Sequence, residues 1–203
     1  MTTDLLTPAS PTRTTAPTAI AVTLTGTVLA LNGAVLGSRM FFDSRDYSEV
    51  AATGLHLVHY LVWTVCLVAL SQLYPRLSAM RGPTGAGIAR GALTLAAVGA
   101  ALDACSRFTV AFVNPYLAAH EPALLDTTPD SVLLVPLLAT GVVEMLGIVA
   151  VGVIAWRRAV VPGPLVLLLI VGGIAVPAIG PMANVPLGVA LAWLGVRWQR
   201  RSR

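Results

Sequence analysis

Six apolar runs, joined by short polar segments, dictate the solvent in which this chain can fold. They cover Thr18–Leu36, Gly54–Leu73, Gly91–Asn114, Val132–Trp156, Pro164–Ile179 and Asn184–Trp198. A helix needs about 20 residues, within a range of about 17–25, to cross a hydrocarbon core. The first four runs reach that length. The last two are shorter and hold Pro177, Pro181 and Pro186, which predicts a tight helical hairpin or a partly re-entrant pair. Of the 203 residues, 56% are hydrophobic and only 11% are charged, against about 25% charged in soluble domains. A core in water could not absorb that much apolar surface at this length. The bilayer is therefore the expected solvent, and the predicted fold class is an all-α integral membrane protein, a bundle of about six transmembrane helices.

The polar remainder sets the organisation. Residues 1–17 are rich in Thr, Pro, Ala and Ser and read as a disordered tail. No charged segment stands directly before the first apolar run, so that run reads as a retained span and not a secretory signal. Residues 18–198 form one transmembrane domain, and 199–203 a short basic tail. Every basic residue is an arginine. Arg13, Arg76, Arg81, Arg90, Arg157, Arg158, Arg197, Arg200, Arg201 and Arg203 fall on one side of the predicted topology. Only Arg39, Arg45 and Arg107 lie on the other side or in a span. The positive-inside rule then predicts a multi-pass protein of the cell membrane with both termini cytoplasmic. Asp43, Asp46, Glu49, Glu121, Asp126 and Asp130 fall in the outer loops. The net charge of +4 follows from this loop pattern, so no nucleic-acid partner is expected.

Two carboxylates stand inside the spans. A charge in hydrocarbon is expensive unless it is paired, protonated or turned to a polar cavity, so an intramembrane acid marks a candidate site. Asp103 lies roughly 16 Å below Asn114 at the outer end of its span, and Glu144 roughly 18 Å below Val132. Both depths are near the midplane. The two spans are consecutive, so the acids could meet, and two close carboxylates resist double ionisation. Arg107 follows Asp103 by four residues on the same helical face and is its natural neutraliser. The plainer reading is that this ion pair only knits the bundle.

The second span opens Gly-Leu-His-Leu-Val-His-Tyr, with His56 and His59 sharing a face and Tyr60 and Trp63 close behind. Histidine titrates near neutrality and can act as acid, base or ligand. The plainer reading is anchoring at the membrane boundary, which suits all four residues. A metal would need further ligands, and neither Asp103, Glu144 nor His120 stands at a recognised spacing from the histidines. Haem would need histidines on facing helices. No metal and no cofactor is expected. Asn32 reads as an interhelical hydrogen-bonding group, and Asn114 as a further polar candidate. Cys66 and Cys105 read as small packing residues. Gly82–Gly87 resembles a phosphate cradle but lacks the preceding strand and the following Lys-Ser/Thr. Nucleophile-elbow, zinc-protease and Walker motifs are absent.

In size, and in carrying acids buried in its spans, the chain is similar to small microbial membrane terpene cyclases. That likeness implies a buried carboxyl that protonates an alkene or epoxide of a lipid-like chain. The first expectation is therefore a cofactor-independent intramembrane enzyme of the isomerase or cyclase type, acting on a lipophilic substrate. Asp103, Glu144, His56 and His59 would be its catalytic residues. Arg107, Asn32, Tyr60, Trp63 and Asn114 would contact substrate. Two alternatives stay open: a proton-coupled transporter, which at this size would work as a homodimer, and a non-catalytic membrane subunit. In all three the bilayer is the surrounding partner.

Overall fold

The computed structural model describes residues 16–78, 86–126, 134–157 and 162–201. Among these residues there is no strand, and nearly all are helical. Helix α1 runs Ala16–Phe41, with a π-helical stretch at Asn32–Gly37. A short α2, Tyr47–Ala51, follows. Next come α3, Gly54–Ser78, and α4, Ala86–His120. A single-turn α5, Ala123–Asp126, precedes α6, Leu134–Arg157, and α7, Gly163–Ile179. A 3₁₀ turn, Gly180–Ala183, then leads into α8, Asn184–Arg201.

Three helices are long and apolar enough to cross a membrane: Ala16–Phe41, Gly54–Arg76 and Gly87–His120. Shorter apolar helices cover Leu138–Ile154 and Gly163–Ile174. The first helix continues past Leu36, where the apolar run was expected to end, because the π-helical stretch absorbs Gly33 and Gly37 without breaking the rod. Helix α4 has 35 residues, about 52 Å at helical rise, and so extends beyond Gly91–Asn114 at both ends. The disordered-tail reading for 1–15 and most of the Gly82–Gly87 segment lie outside the described residues.

The six longer helices close into a ring. Each of α3, α4, α6, α7 and α8 packs against its neighbour along the chain, α1 packs on α3, and α8 returns to pack on α1. Small residues make the close approaches. A Cβ added at Gly26 would lie 2.4 Å from the Ala192 backbone nitrogen, and one at Gly188 would lie 2.4 Å from that of Ala30. The α1–α8 seam is thus backbone against backbone, as small-residue interfaces in membranes allow.

The outward faces are apolar: Leu24 is 60% exposed, Val65 68% and Leu167 62%. The inside holds the polar side chains, with Asn32, His56, His59, Asp103, Glu144 and Asn184 all buried. That inversion of a water-soluble pattern fits a lipid surround. Cys66 is buried as a packing residue would be, whereas Cys105 is exposed on the outer face of α4.

Above one end of the ring, α2 and α5 are joined by a clasp. Asp126 accepts from the Ser48 backbone N–H at 2.8 Å and from the Ser48 hydroxyl at 2.7 Å. The carboxylate caps the first turn of α2 from a site 78 residues away in sequence. Asp126→Ala leaves both donors without this acceptor and is expected to cost about 1–2 kcal/mol. Thermal melting measures the loss, and faster amide hydrogen exchange at residues 47–51 locates it.

Candidate functional site

The site is built on one face of α3. His56, His59, Tyr60 and Trp63 recur at helical spacing and so share that face. They face the interior of the bundle: His56 and His59 are 0% exposed, and Trp63 and Tyr60 are also buried. The rings form a ladder. His56 and Tyr60 have centroids 4.6 Å apart, His59 and Trp63 5.6 Å apart, and Tyr60 stacks on Trp63 at 5.9 Å.

Hydrogen bonds assign the imidazole protons. Asn32 Nδ2 donates to the His59 carbonyl at 3.3 Å, so its Oδ1 is left facing His59 Nδ1 at 3.2 Å. An amide oxygen only accepts, so Nδ1 carries the hydrogen and Nε2 keeps a bare lone pair. That Nε2 is buried without a partner. His56 Nε2 lies 3.4 Å from the Val110 carbonyl oxygen. By the same logic His56 Nδ1 is the bare nitrogen, and it too is buried without a partner.

Helix α4 supplies the charges. Arg107 Nε donates to Asp103 Oδ2 at 3.1 Å, closing the expected i,i+4 pair. The guanidinium carbon stands 4.0 Å above the Trp63 ring, a cation–π contact that extends the site onto α3. Asp103 is 0% exposed, and its second oxygen, Oδ1, has no hydrogen-bond donor.

Helix α6 brings the second acid. A Cβ added at Gly99 would lie 2.4 Å from Glu144 Cα, and one at Gly147 would lie 2.5 Å from Ala96 Cα. The two backbones therefore touch one turn from Asp103, which sets the Glu144 side chain beside that of Asp103. Glu144 is buried and its Oε1 has no donor. Ser106 and Thr140 share a hydroxyl hydrogen bond of 2.8 Å further along the same seam.

The structure thus brings together Asp103, Glu144, Arg107, Trp63, Tyr60, His56, His59 and Asn32. Asn114 stands at the edge of this group: it donates to the Tyr47 hydroxyl at 2.8 Å, the Tyr47 ring packs edge-on against His56 at 6.1 Å, and the bond tethers α2 to the bundle. Among the described residues, no three His, Cys, Asp or Glu side chains group as metal ligands. One polar residue escaped the sequence reading as a site residue. Asn184 is 1% exposed with both amide atoms unpaired. Its place at the start of an apolar run read as a span boundary.

No protein family, no curated protein and no solved structure matches this chain.

Proposed function

We propose that the chain is a multi-pass protein of the cell membrane, with six crossings and both termini cytoplasmic, whose centre performs acid–base chemistry on a lipophilic substrate. The observation that carries this reading is a surplus of buried acceptors. Asp103 Oδ1, Glu144 Oε1, His56 Nδ1 and His59 Nε2 are all enclosed without a donor. An unsatisfied buried group costs about 1–3 kcal/mol; one proton on Glu144 can pair the two carboxyl groups, but the two imidazole nitrogens stay open, which a centre kept only to staple helices would not hold.

Charge counting divides the roles. Arg107 neutralises Asp103, and among the described residues no second cation pairs with Glu144. A neutral centre then requires a proton on Glu144. The Glu144 hydroxyl would donate to Asp103 Oδ1 and satisfy it. Glu144 becomes the general acid, and Asp103, held ionised by Arg107, stabilises positive charge developing on the substrate. His59 Nε2 is the base that returns protons to the centre. An isomerisation or cyclisation of this kind needs no cofactor.

A second reading, a proton-coupled carrier, is favoured by the closure of the centre. Asp103 and both histidines have no exposed surface, so anything that reaches them must part the helices, as alternating access requires. One comparison separates the two. Cells expressing the wild type and Glu144→Gln are profiled for lipophilic metabolites, and proton uptake is followed in proteoliposomes. The enzyme reading predicts a metabolite converted to an isomer of equal mass by the wild type, with conversion reduced about 10²–10⁴-fold in the variant. Equal profiles combined with a lost proton flux would transfer the assignment to the carrier. No difference in either would leave the centre structural.

A further inference from the structure

Among the described residues, Asn184 is the one fully buried polar side chain whose two hydrogen-bonding atoms both lack a partner and which the acid–base chemistry does not use. It opens α8, an 18-residue helix, whose dipole is positive at that end and favours an oxygen ligand; Pro186 has no N–H, so the side-chain amide is the donor on offer. It faces α1 where that helix becomes π-helical: a Cβ added at Gly33 would lie 3.0 Å from Asn184 Cβ. π-helical turns occur often at functional sites. In the same turn, Asn32 holds His59. His59 and Trp63 are one helical turn apart on α3, about 6 Å, and Trp63 lies under Arg107. The π-helical turn of α1 therefore links the hairpin tip, through Asn32, His59 and Trp63, to the acid–base centre.

We propose that Asn184 and the N-terminus of α8 form the head-group subsite for the substrate, and that the group recognised is a neutral hydroxyl or carboxylic acid O–H. This rests on the acid–base reading. The amide offers one acceptor and one kind of donor, so it is satisfied by a group that both donates and accepts. Among the described residues no charged group bonds to its amide, so a charged ammonium or carboxylate head held there would be buried at a loss. The O–H donates to Asn184 Oδ1 and accepts from Nδ2, and the helix N-terminus supports the same oxygen. The chain of the substrate then runs toward Asp103 and Glu144.

The test is thermal melting of the full protein in detergent, with four probes of one chain length: a fatty alcohol, its methyl ether, the fatty acid and the alkylamine. A specific ligand raises Tm with the logarithm of its concentration. The subsite predicts a rise with the alcohol and none with the ether or the amine. The fatty acid separates the two head groups: a rise below its own ionisation that disappears above it includes the acid, and no rise restricts the subsite to alcohols. In Asn184→Leu the alcohol response disappears. In Glu144→Gln it persists, so loss of the acid chemistry and loss of the subsite are told apart. Equal shifts for alcohol and ether would overturn the proposal in the wild type alone, whether or not Asn184→Leu folds. So would an alcohol response that survives in Asn184→Leu.

Discussion

Removing both acids at once, in Asp103→Asn/Glu144→Gln, is expected to destabilise the protein by about 3–5 kcal/mol, the range for stranding a buried charge. Arg107 would be left as the only charge in the centre, held by the Trp63 ring and no carboxylate. The single changes are expected to be milder. In Asp103→Asn, Glu144 can give up its proton and face Arg107 in its place. In Glu144→Gln the ion pair is untouched and the new amide N–H can donate to Asp103 Oδ1 in place of the Glu144 hydroxyl, so that variant melts close to the wild type. The double change should therefore exceed the sum of the singles, and adding Arg107→Gln should recover most of the loss. Melting curves for the four variants measure this. A double variant that equals the sum would show that the three side chains do not act as one unit.

The second large effect lies at Gly99. Gly99→Leu places a side chain where the Glu144 Cα is only 2.4 Å from the new Cβ. Backbone stands on both sides, so no rotamer relieves the clash, and the helices must separate at the point where the two acids meet. The expected loss is at or above the top of the overpacking range, about 3 kcal/mol. Gly99→Ala already carries the clashing atom. Gly91→Ala, on the same helix with nothing within 4 Å, serves as the control and is expected to be neutral or to gain up to about 1 kcal/mol. Equal melting of Gly91→Ala and Gly99→Ala would contradict the backbone contact.

Much of this site is legible in the sequence because it is local. Asp103 and Arg107 stand four apart on a helix, and His56 and His59 three apart, so each pair shares a face whatever surrounds it. The meeting of Asp103 and Glu144 follows less directly, from consecutive spans and similar depth. The contact itself depends on Gly99 and Gly147, whose role appears only when the opposing backbone is in place. Other features are out of reach because their partners are remote. Ser48 meets Asp126 across 78 residues. The inward turn of Trp63 depends on Arg107 arriving from another helix, so the residue reads equally well as a boundary anchor. Neither Asn32–Gly37 nor Asn184 carries a local signal for a π-helical turn or an unpaired amide. Asn114 shows the opposite case, a polar residue in an apolar run that serves as a tether to α2.

The proposed chemistry requires that Glu144 carry the proton of the centre while Asp103 stays ionised. Infrared spectroscopy of the membrane-reconstituted protein at neutral pH tests it most directly, through the carbonyl stretch of a protonated carboxyl and its shift in D₂O. That band is expected in the wild type and is expected to be lost in Glu144→Gln, and also in Asp103→Asn, where Glu144 ionises to face Arg107. A wild type without the band, or a band that survives in Glu144→Gln, would contradict it.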